Sequence, residues 1–283
     1  MTALDLIPSS APGNLPLGEV CDSAAALIGN TPVVELHSLP AGLESRVLVK
    51  LEGRNPGGSS KDRIALNMIR TAEAAGALAP GGTIVEATSG NTGIGLALIG
   101  RLTGHPVVIV HAADISDEKR KVLAAYGARL VEADWEAGPD DPANPRAVAD
   151  SIAAETPGSW RPAQFANAAN PEAHYRGSGT GRYLKEVSGG AVEVHGANPA
   201  GSTYGGGAAG RILVDGVGTA WPRDFWPDTF DPRVVDEVHT VEDGVVYRTL
   251  RRLAAEEALL LGPSSALAVA AALRVAREAR PGS

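Results

Sequence analysis

The chain has 283 residues, of which 44% are hydrophobic and 20% charged, and its formal net charge is −8. This composition is typical of a soluble globular protein, and the negative charge argues against nucleic acid or an anionic membrane surface as the main partner. A single cysteine, Cys21, excludes an internal disulfide framework and, with no signal-peptide pattern and no apolar stretch of membrane-spanning length, predicts a cytoplasmic protein.

Along the chain, residues 1–20 are rich in Pro and Ser and predict a flexible N-terminal segment. Downstream, short β-branched runs alternate with stretches of helical spacing, which indicates βαβ units and a parallel sheet. The predicted strands lie at 33–36, 47–51, 83–87, 107–110, 130–133, 164–166, 192–196 and 234–241. The predicted helices lie at 63–75, 92–102, 116–126, 147–155, 183–187, 247–260 and 266–277.

Lys61 lies between a Gly-Gly-Ser-Ser loop and an amphipathic helix. A lysine that forms a Schiff base must sit at the end of an element and be partly desolvated, because its amine must be neutral to act as a nucleophile. The start of a helix also disfavours a cation. A solvated lysine in a first helical turn is the plain alternative, and the local sequence leaves both interpretations open.

A second candidate is residues 88–93 (TSGNTG), between a predicted strand and a predicted helix. Backbone N–H groups, hydroxyls and the helix N-terminus there favour a bound carboxylate or phosphate. A polar turn with Asn and Gly at positive φ explains the same residues. The spacing of Gly90, Gly93 and Gly95 does not match the dinucleotide-binding fingerprint.

A third candidate is residues 177–181 (GSGTG), before another predicted helix. This run could cradle a phosphate through its N–H groups, although many such runs are only turns. The histidines do not follow a metal-binding pattern, since none has a partner four residues away or a cysteine nearby. We therefore expect surface or core histidines and no metal site at the following positions: His105, His111, His174, His195 and His239.

Five segments carry a family resemblance: 28–32 (IGNTP), 55–63 (NPGGSSKDR), 86–93 (EATSGNTG), 126–128 (YGA) and 164–171 (QFANAANP). Together they resemble the cysteine synthase and cystathionine β-synthase family of pyridoxal-phosphate (PLP) enzymes. The resemblance runs from about residue 21 to the end. Three more segments resemble bacterial cystathionine β-synthase catalytic cores most: 183–190, 201–202 and 251–257.

The resemblance implies an α/β fold, PLP fold type II, with two three-layer αβα domains and mainly parallel sheets, the C-terminal one incomplete. The implied domains are a smaller N-terminal αβα domain, 54–165, and a larger PLP-binding domain, 21–53 with 166–283. Lys61 would hold PLP as a Schiff base and move the substrate's α-proton. Further cofactor contacts are assigned to Asn91, Gly177, Ser178, Gly179, Thr180, Gly181 and Ser264. The substrate carboxylate would be bound by Thr88, Ser89, Gly90, Thr92 and Gln164.

The implied reaction is β-replacement on serine or an O-activated serine, giving cysteine or cystathionine. The donor (serine, O-acetylserine or O-phosphoserine) and the nucleophile (sulfide or homocysteine) stay open. The expected partners are these small molecules and, by family resemblance, a second copy of the chain in a homodimer. We expect no nucleic acid and no membrane among the partners.

Two departures from the family pattern stand against full activity. In the family, a helix, a strand and a Gly-Thr-Gly-Gly-Thr phosphate cup follow the segment that contains His174; here residues 178–186 (SGTGRYLKE) follow almost directly. Roughly two dozen residues, close to a minimal crossover unit, are missing. The family's final strand, with a Ser or Thr for the pyridine nitrogen, would fall beyond Ser283. A catalytically impaired remnant and a specialised β-replacement enzyme of secondary metabolism are therefore kept as alternatives.

Overall fold

The computed structural model describes residues 20–138, 140–178 and 181–279. The predicted flexible segment 1–20 lies outside them, apart from Val20. The strands are β1 (Val33–Leu36), β2 (Val47–Lys50), β3 (Ile84–Ala87), β4 (Val107–His111), β5 (Arg129–Glu132), β6 (His195–Pro199) and β7 (Glu237–Val241). The helices are α1 (Lys61–Ala74), α2 (Asn91–Thr103), α3 (Asp117–Ala125), α4 (Pro145–Glu155), α5 (Ala169–Gly177), α6 (Gly181–Val187), α7 (Asp243–Glu256) and α8 (Pro263–Glu278).

The chain divides into two compact units. Unit 1 contains the chain up to Thr31 and Glu52–Gly179, and unit 2 contains Pro32–Leu51 and the chain from Thr180 onwards. Among the described residues, no helix has both the length and the apolar character needed to cross a membrane.

Unit 1 is built around a three-stranded parallel sheet in the order β3-β4-β5. All residues of β3 and β4 are buried, as expected when helices cover both faces of a parallel sheet. Ile84 and Ile109 point into a core shared with α1 and α2. Val85 and Val108 point to the other face, where they pack with Ala149 of α4. Unit 1 is therefore a three-layer αβα unit, as predicted.

One predicted strand of unit 1 is wrong. Residues 164–166 form turns, and the neighbouring extended contact is an isolated bridge between Trp160 and Ile84. Ala163 has a φ of +48°, a left-handed conformation that ends any extended run. The helix α5, which the sequence did not predict, begins soon afterwards.

The predicted domain boundaries at 54 and 165 differ from those of the two units, because residues 21–31, 52–53 and 166–179 fall in unit 1. Side chains of α1 fasten α5 at both of its ends. The Asn67 side-chain amide donates to the Ala169 carbonyl at 2.7 Å. The Arg63 guanidinium donates to the Gly177 carbonyl at 2.7 Å. These bonds explain why α5 belongs with α1.

Unit 2 contains two separate two-stranded sheets among its described residues. The strands β1 and β2 pair antiparallel, and β6 and β7 pair parallel. One apolar core contacts both sheets and includes Leu36 of β1, Val241 of β7, Leu253 of α7 and Leu267 of α8. Only three residues connect α5 to α6, which leaves no room there for the helix and strand that the family pattern would place.

Candidate active site

Lys61 is the first residue of α1, and Gly95 of α2 determines how closely the two helices approach. A Cβ built on Gly95 would lie 3.0 Å from the Lys61 carbonyl oxygen and 3.0 Å from the Ala65 Cβ. Any larger residue would push α1 away, since such contacts are tighter than normal packing allows. The glycine therefore keeps Lys61 beside the first turns of α2.

The environment of Lys61 favours the neutral amine. Burial lowers the pKa of the Lys61 ammonium below its ordinary value, because a desolvated cation loses its hydration. Its position at the N-terminus of α1 adds the unfavourable end of the helix dipole. A lysine amine that is neutral for more of the time is a better nucleophile and proton acceptor.

We expect Gly95→Ala to displace Lys61 and to destabilise unit 1. Overpacking of this kind costs about 1–3 kcal/mol, measurable as a lower urea midpoint with an unchanged slope. Gly207→Ala is the control, because nothing lies within 4 Å of a Cβ built there. Equal stability of Gly95→Ala and the wild type would contradict the assigned contact.

The loop 88–90 connects β3 to α2, the helix whose Gly95 approaches the helix of Lys61. Its side chains are already ordered: the Ser89 Oγ accepts the Ala112 N–H at 2.7 Å, and the Thr88 Oγ1 accepts the Gly90 N–H at 3.3 Å. Each hydroxyl keeps its own proton to donate. The Gly90 N-cap of α2 provides no side-chain cap, so the first N–H groups of α2 are suited to an anion.

The Gln164 side chain, like the hydroxyls of loop 88–90, is held by a hydrogen bond. The Thr92 hydroxyl donates to the Gln164 Oε1 at 2.7 Å, and both side chains are buried. This bond occupies the amide oxygen, which leaves the Gln164 NH₂ group to donate. Thr92 therefore orients Gln164, and its predicted contact with the substrate carboxylate stays a prediction.

Glu86 of β3 holds the backbone that carries Gln164. The Glu86 Oε2 accepts the Ala163 N–H at 3.0 Å, and this bond supports the left-handed conformation of Ala163. Burial raises the pKa of the Glu86 carboxyl, which the Arg161 charge and the N–H groups of residues 163 and 164 partly offset. The buried carboxylate is thus a fixed acceptor that sets the position of Gln164.

The segments 28–32 and 55–63 meet at an ion pair between Arg63 and Glu52. The Arg63 guanidinium donates to both carboxylate oxygens of Glu52, at 2.7 and 2.9 Å, and to the Thr31 hydroxyl at 3.2 Å. Thr31 in turn donates to Glu52 at 2.6 Å. Burial alone would raise the pKa of Glu52, but the bonds from Arg63, Thr31 and Asn55 outweigh it and the pKa is lowered. The pair anchors the turn that precedes Lys61.

Asp62 and Gly57 hold the loop on the other side of Lys61. The Gly57 N–H donates to the Asp62 Oδ2 at 2.5 Å, and a Cβ on Gly57 would clash with the same carboxyl group. The Asp62 Oδ1 is buried and has no hydrogen-bond partner. Burial accordingly raises the pKa of Asp62 to about 6, despite the Gly57 bond.

His174 of α5 interacts electrostatically with Lys61, Glu52 and Arg63. Burial and the positive charge of Lys61 lower the pKa of His174 to about 4, with a partial offset from Glu52 and a smaller contribution from Arg63. Its Nδ1 lies 3.1 Å from the Ser178 Oγ. The His174 imidazole is therefore kept neutral on α5, which packs against α1.

Comparison with known proteins places this arrangement in a family. Residues 24–178 and 176–283 match the family model described as pyridoxal-phosphate dependent enzyme. The chain belongs to this family. Cysteine synthase B of Pseudomonas aeruginosa is 38% identical over 280 residues, which cover 90% of this chain and 89% of the relative.

Solved structures of similar enzymes share the fold. A hydrogen sulfide-producing enzyme from Fusobacterium nucleatum superimposes with a TM-score of 0.85 at 31% identity, over 93% of each chain. An O-acetylserine dependent cystathionine beta-synthase from Helicobacter pylori gives 0.84 at 29% identity, over 94% of this chain and 93% of that one. The chain is thus a PLP-dependent enzyme of fold type II, as its motifs predicted.

The residues near Lys61 fit PLP. The amine that burial makes easier to deprotonate suits a Schiff base with the cofactor's aldehyde. Asn91 is exposed at the first position of α2, where its amide could reach a ring oxygen. Both residues match the family's motif positions, so they are the groups that would hold the ring in this PLP-dependent enzyme.

The predicted phosphate cup is only partly described. Gly177 is the last residue of α5 and its carbonyl accepts from Arg63. Gly181 opens α6 in unit 2, where a Cβ would meet Val194 and Val234 at 2.9 Å. The Ser178 N–H donates to the His174 carbonyl. Gly179 and Thr180 lie outside the described residues. The role of this run in phosphate binding therefore stays a prediction.

Ser264, the remaining cofactor prediction, lies in the first turn of α8 in unit 2 and is half-buried. Sequence reasoning gave no role to several titratable groups that surround Lys61 or hold the backbone near Gln164. These are Glu52, Asp62, Arg63, Glu86 and His174. Charged residues beside an apolar helical stretch were a usable signal for Asp62 and Arg63, whereas the others require tertiary contacts.

Asp62 follows Lys61 in the chain, and His174 interacts electrostatically with Lys61. We expect these two residues to affect the pH dependence of stability in opposite senses. The folded pKa of Asp62, about 6, lies above the ordinary 3.8, so its contribution is present below about pH 4 and is lost as the pH rises through 6. The folded pKa of His174, about 4, lies below the ordinary 6.5, so its contribution is present above 6.5 and is lost as the pH falls through 4.

Single substitutions should separate the two effects. Relative to the wild type, Asp62→Asn should gain stability between pH 4 and 6.5, and His174→Gln should lose it, each by about 1–2 kcal/mol. Urea unfolding at about pH 4.5, 5.5 and 6.5 measures this. Parallel curves for the wild type and both variants would show that the two groups titrate normally.

Proposed function

We propose that this enzyme catalyses β-replacement on serine or an O-activated serine, giving cysteine or cystathionine. The supporting observation is the close approach at Gly95, which brings Lys61 next to the helix whose N-terminal loop can bind a carboxylate. An amino acid held by its carboxylate at this loop has its α-carbon near the lysine. The named activities of the similar enzymes, cysteine synthase and cystathionine β-synthase, support the same choice.

In this proposal the chain binds and orients the amino acid with residues of unit 1. The hydroxyl protons of Thr88 and Ser89, the first N–H groups of α2 and the Gln164 NH₂ group donate to the carboxylate. Thr92 and Glu86 act as positioning residues for Gln164. Lys61 Nζ holds the cofactor and, once released as a free amine, accepts the proton from the α-carbon.

Bound PLP withdraws electrons from the substrate's α-carbon, which makes that proton acidic. The overall exchange is balanced without an oxidant. The β-substituent leaves with its bonding electrons as water, acetate or phosphate. The sulfur of the thiol or hydrogen sulfide bonds to the same β-carbon and gives up its S–H proton, which goes to the leaving group or to solvent. The proton held on Lys61 Nζ is returned to the α-carbon, so the enzyme ends in its starting state.

A donor and acceptor screen tests this function. Purified protein is incubated with PLP, dialysed and supplied with serine, O-acetylserine or O-phosphoserine, each paired with sulfide or homocysteine. We expect a visible cofactor absorbance that changes with one donor, and cysteine or cystathionine detected by mass spectrometry. A coloured protein that forms neither product from any pair would overturn the proposal.

One observation favours a second candidate, a catalytically impaired remnant. The three-residue connection between α5 and α6 and the divided sheets of unit 2 leave out the unit that carries the family's phosphate cup. Protein that stays colourless after incubation with PLP would favour this candidate. A product outside the cysteine and cystathionine pair would instead favour a specialised β-replacement enzyme.

The proposed setting is a homodimer in the cytoplasm. The single cysteine and the acidic composition suit a reducing, aqueous compartment. The dimer rests on the family resemblance, and light scattering of the purified protein distinguishes it from a monomer.

A further inference from the structure

The parallel pairing of β6 and β7 in unit 2 brings together three side chains that are far apart in sequence. His195 of β6 is opposite Glu237 of β7 in the register. His239 follows two residues after Glu237, so the two side chains lie on the same face of the strand. His195 and His239 are thus in contact although they are 44 residues apart in the chain, a proximity that sequence spacing did not indicate.

The three side chains form one close cluster. The His195 Nδ1 lies 2.8 Å from the His239 Nε2. Glu237 places one carboxylate oxygen 3.9 Å from the His195 Nδ1 and the other 3.6 Å from the His239 Nδ1. One ligand atom from each residue can be chosen so that all lie within 4.8 Å of one another. A tetrahedral zinc ion with bonds of about 2.0–2.1 Å separates its ligand atoms by about 3.3 Å, which is within the range of these distances.

An independent observation indicates a missing partner at this place. The His239 side chain is 2% exposed, and its Nδ1 is buried with no hydrogen-bond partner. Buried polar atoms are nearly always satisfied, so an unpartnered imidazole nitrogen beside a carboxylate indicates a ligand. By contrast, the Glu237 side chain is 59% exposed and can adjust its position around an ion.

We propose that His195, Glu237 and His239 form a binding site for a divalent transition-metal ion of the class that prefers imidazole, with Zn²⁺ as its representative. Two imidazoles and one carboxylate suit such ions better than Mg²⁺ or Ca²⁺, which prefer oxygen ligands. Glu193, whose carboxylate lies 3.3 Å from the His195 Nε2, orients that ring from outside the site. The ion ties β6 to β7 and is independent of the PLP chemistry proposed for unit 1.

Zinc titration of the cofactor-loaded protein tests the site, with the purification tag removed because polyhistidine tags bind zinc. Isothermal titration calorimetry and elemental analysis after dialysis should give one Zn²⁺ per chain, and the melting temperature should rise with zinc. We expect Glu237→Gln and His195→Gln each to weaken the zinc affinity at least 10-fold, with loss of the zinc-dependent thermal shift.

The control variant is His37→Gln, since His37 is exposed and lies outside the cluster. It should bind zinc as the wild type does, and any zinc held by Cys21 or by the cofactor is common to all four proteins. If His195→Gln fails to fold, Glu237→Gln still decides, because it changes an exposed side chain and keeps its size. Equal zinc binding by the wild type and Glu237→Gln, or no saturable binding by the wild type, would overturn the proposal and leave a plain histidine pair.

Discussion

Lys61→Ala should eliminate both the visible absorbance of the bound cofactor and the formation of product. The substitution removes the amine that holds PLP and moves the α-proton, and the loss of such a group costs at least about 10³-fold in rate. The fold should persist at the same or a higher melting temperature, because the buried amine carries a desolvation cost. Absorbance spectra, product assays and thermal unfolding measure the three effects.

Lys121→Ala serves as the control, because Lys121 is exposed on α3. It should keep the absorbance, the activity and the melting temperature of the wild type. Lys61→Arg should be as inactive as Lys61→Ala, since a guanidinium stays charged and cannot form the Schiff base. Retained activity in either Lys61 variant would place the catalytic amine elsewhere.

Arg63→Ala should be the most destabilising single change near the site. The Arg63 side chain is 3% exposed and pairs with Glu52, so its removal leaves the Glu52 carboxylate without its counter-charge and the Gly177 carbonyl without the guanidinium bond. Breaking a buried ion pair by removing one partner costs about 3–5 kcal/mol. The urea midpoint of the variant should fall accordingly, and hydrogen exchange in α5 should become faster because its C-terminal anchor is lost.

Arg46→Ala provides a matched comparison. Arg46 also donates twice to a glutamate, Glu35, at 3.0 and 2.6 Å, but its side chain is 69% exposed. Exposed pairs contribute little because water screens them, so this variant should unfold like the wild type. Equal destabilisation by the two substitutions would mean that burial does not determine the role of the Arg63 pair.

The sequence predicted the elements whose signals are local. The strands β3 and β4 were found within a residue of each end, because unbroken β-branched runs between turn residues leave few alternatives. The helix α5 was missed because Pro171 reads as a helix breaker, yet in the structure it occupies the first turn, where proline is tolerated. The bonds from Asn67 and Arg63 that fix this helix come from residues over a hundred positions away.

The candidate site shows the same division. Lys61 and residues 88–92 could be proposed as site residues from the sequence because each lies at the junction of a loop or strand with a helix, and their roles stay predictions. The support around them could not, since the partners of Arg63 are brought close only by folding. The hydrogen bond from Thr92 to Gln164 is likewise a tertiary contact that no spacing rule predicts. The pairing of His195 with His239 depends on strand register in the same way.

The divided sheets of unit 2 have a consequence for which changes the chain can tolerate during evolution. In each two-stranded sheet, every strand has a hydrogen-bonded neighbour on one side only. The backbone hydrogen bonds between strands therefore contribute little to holding the unit together. What joins the sheets is the buried side of α8, where residues such as Leu267 and Leu273 share a core with Leu36 and Val241. A lineage could therefore lose a strand from this unit and still fold, whereas the fully buried strands β3 and β4 of unit 1 leave no comparable freedom.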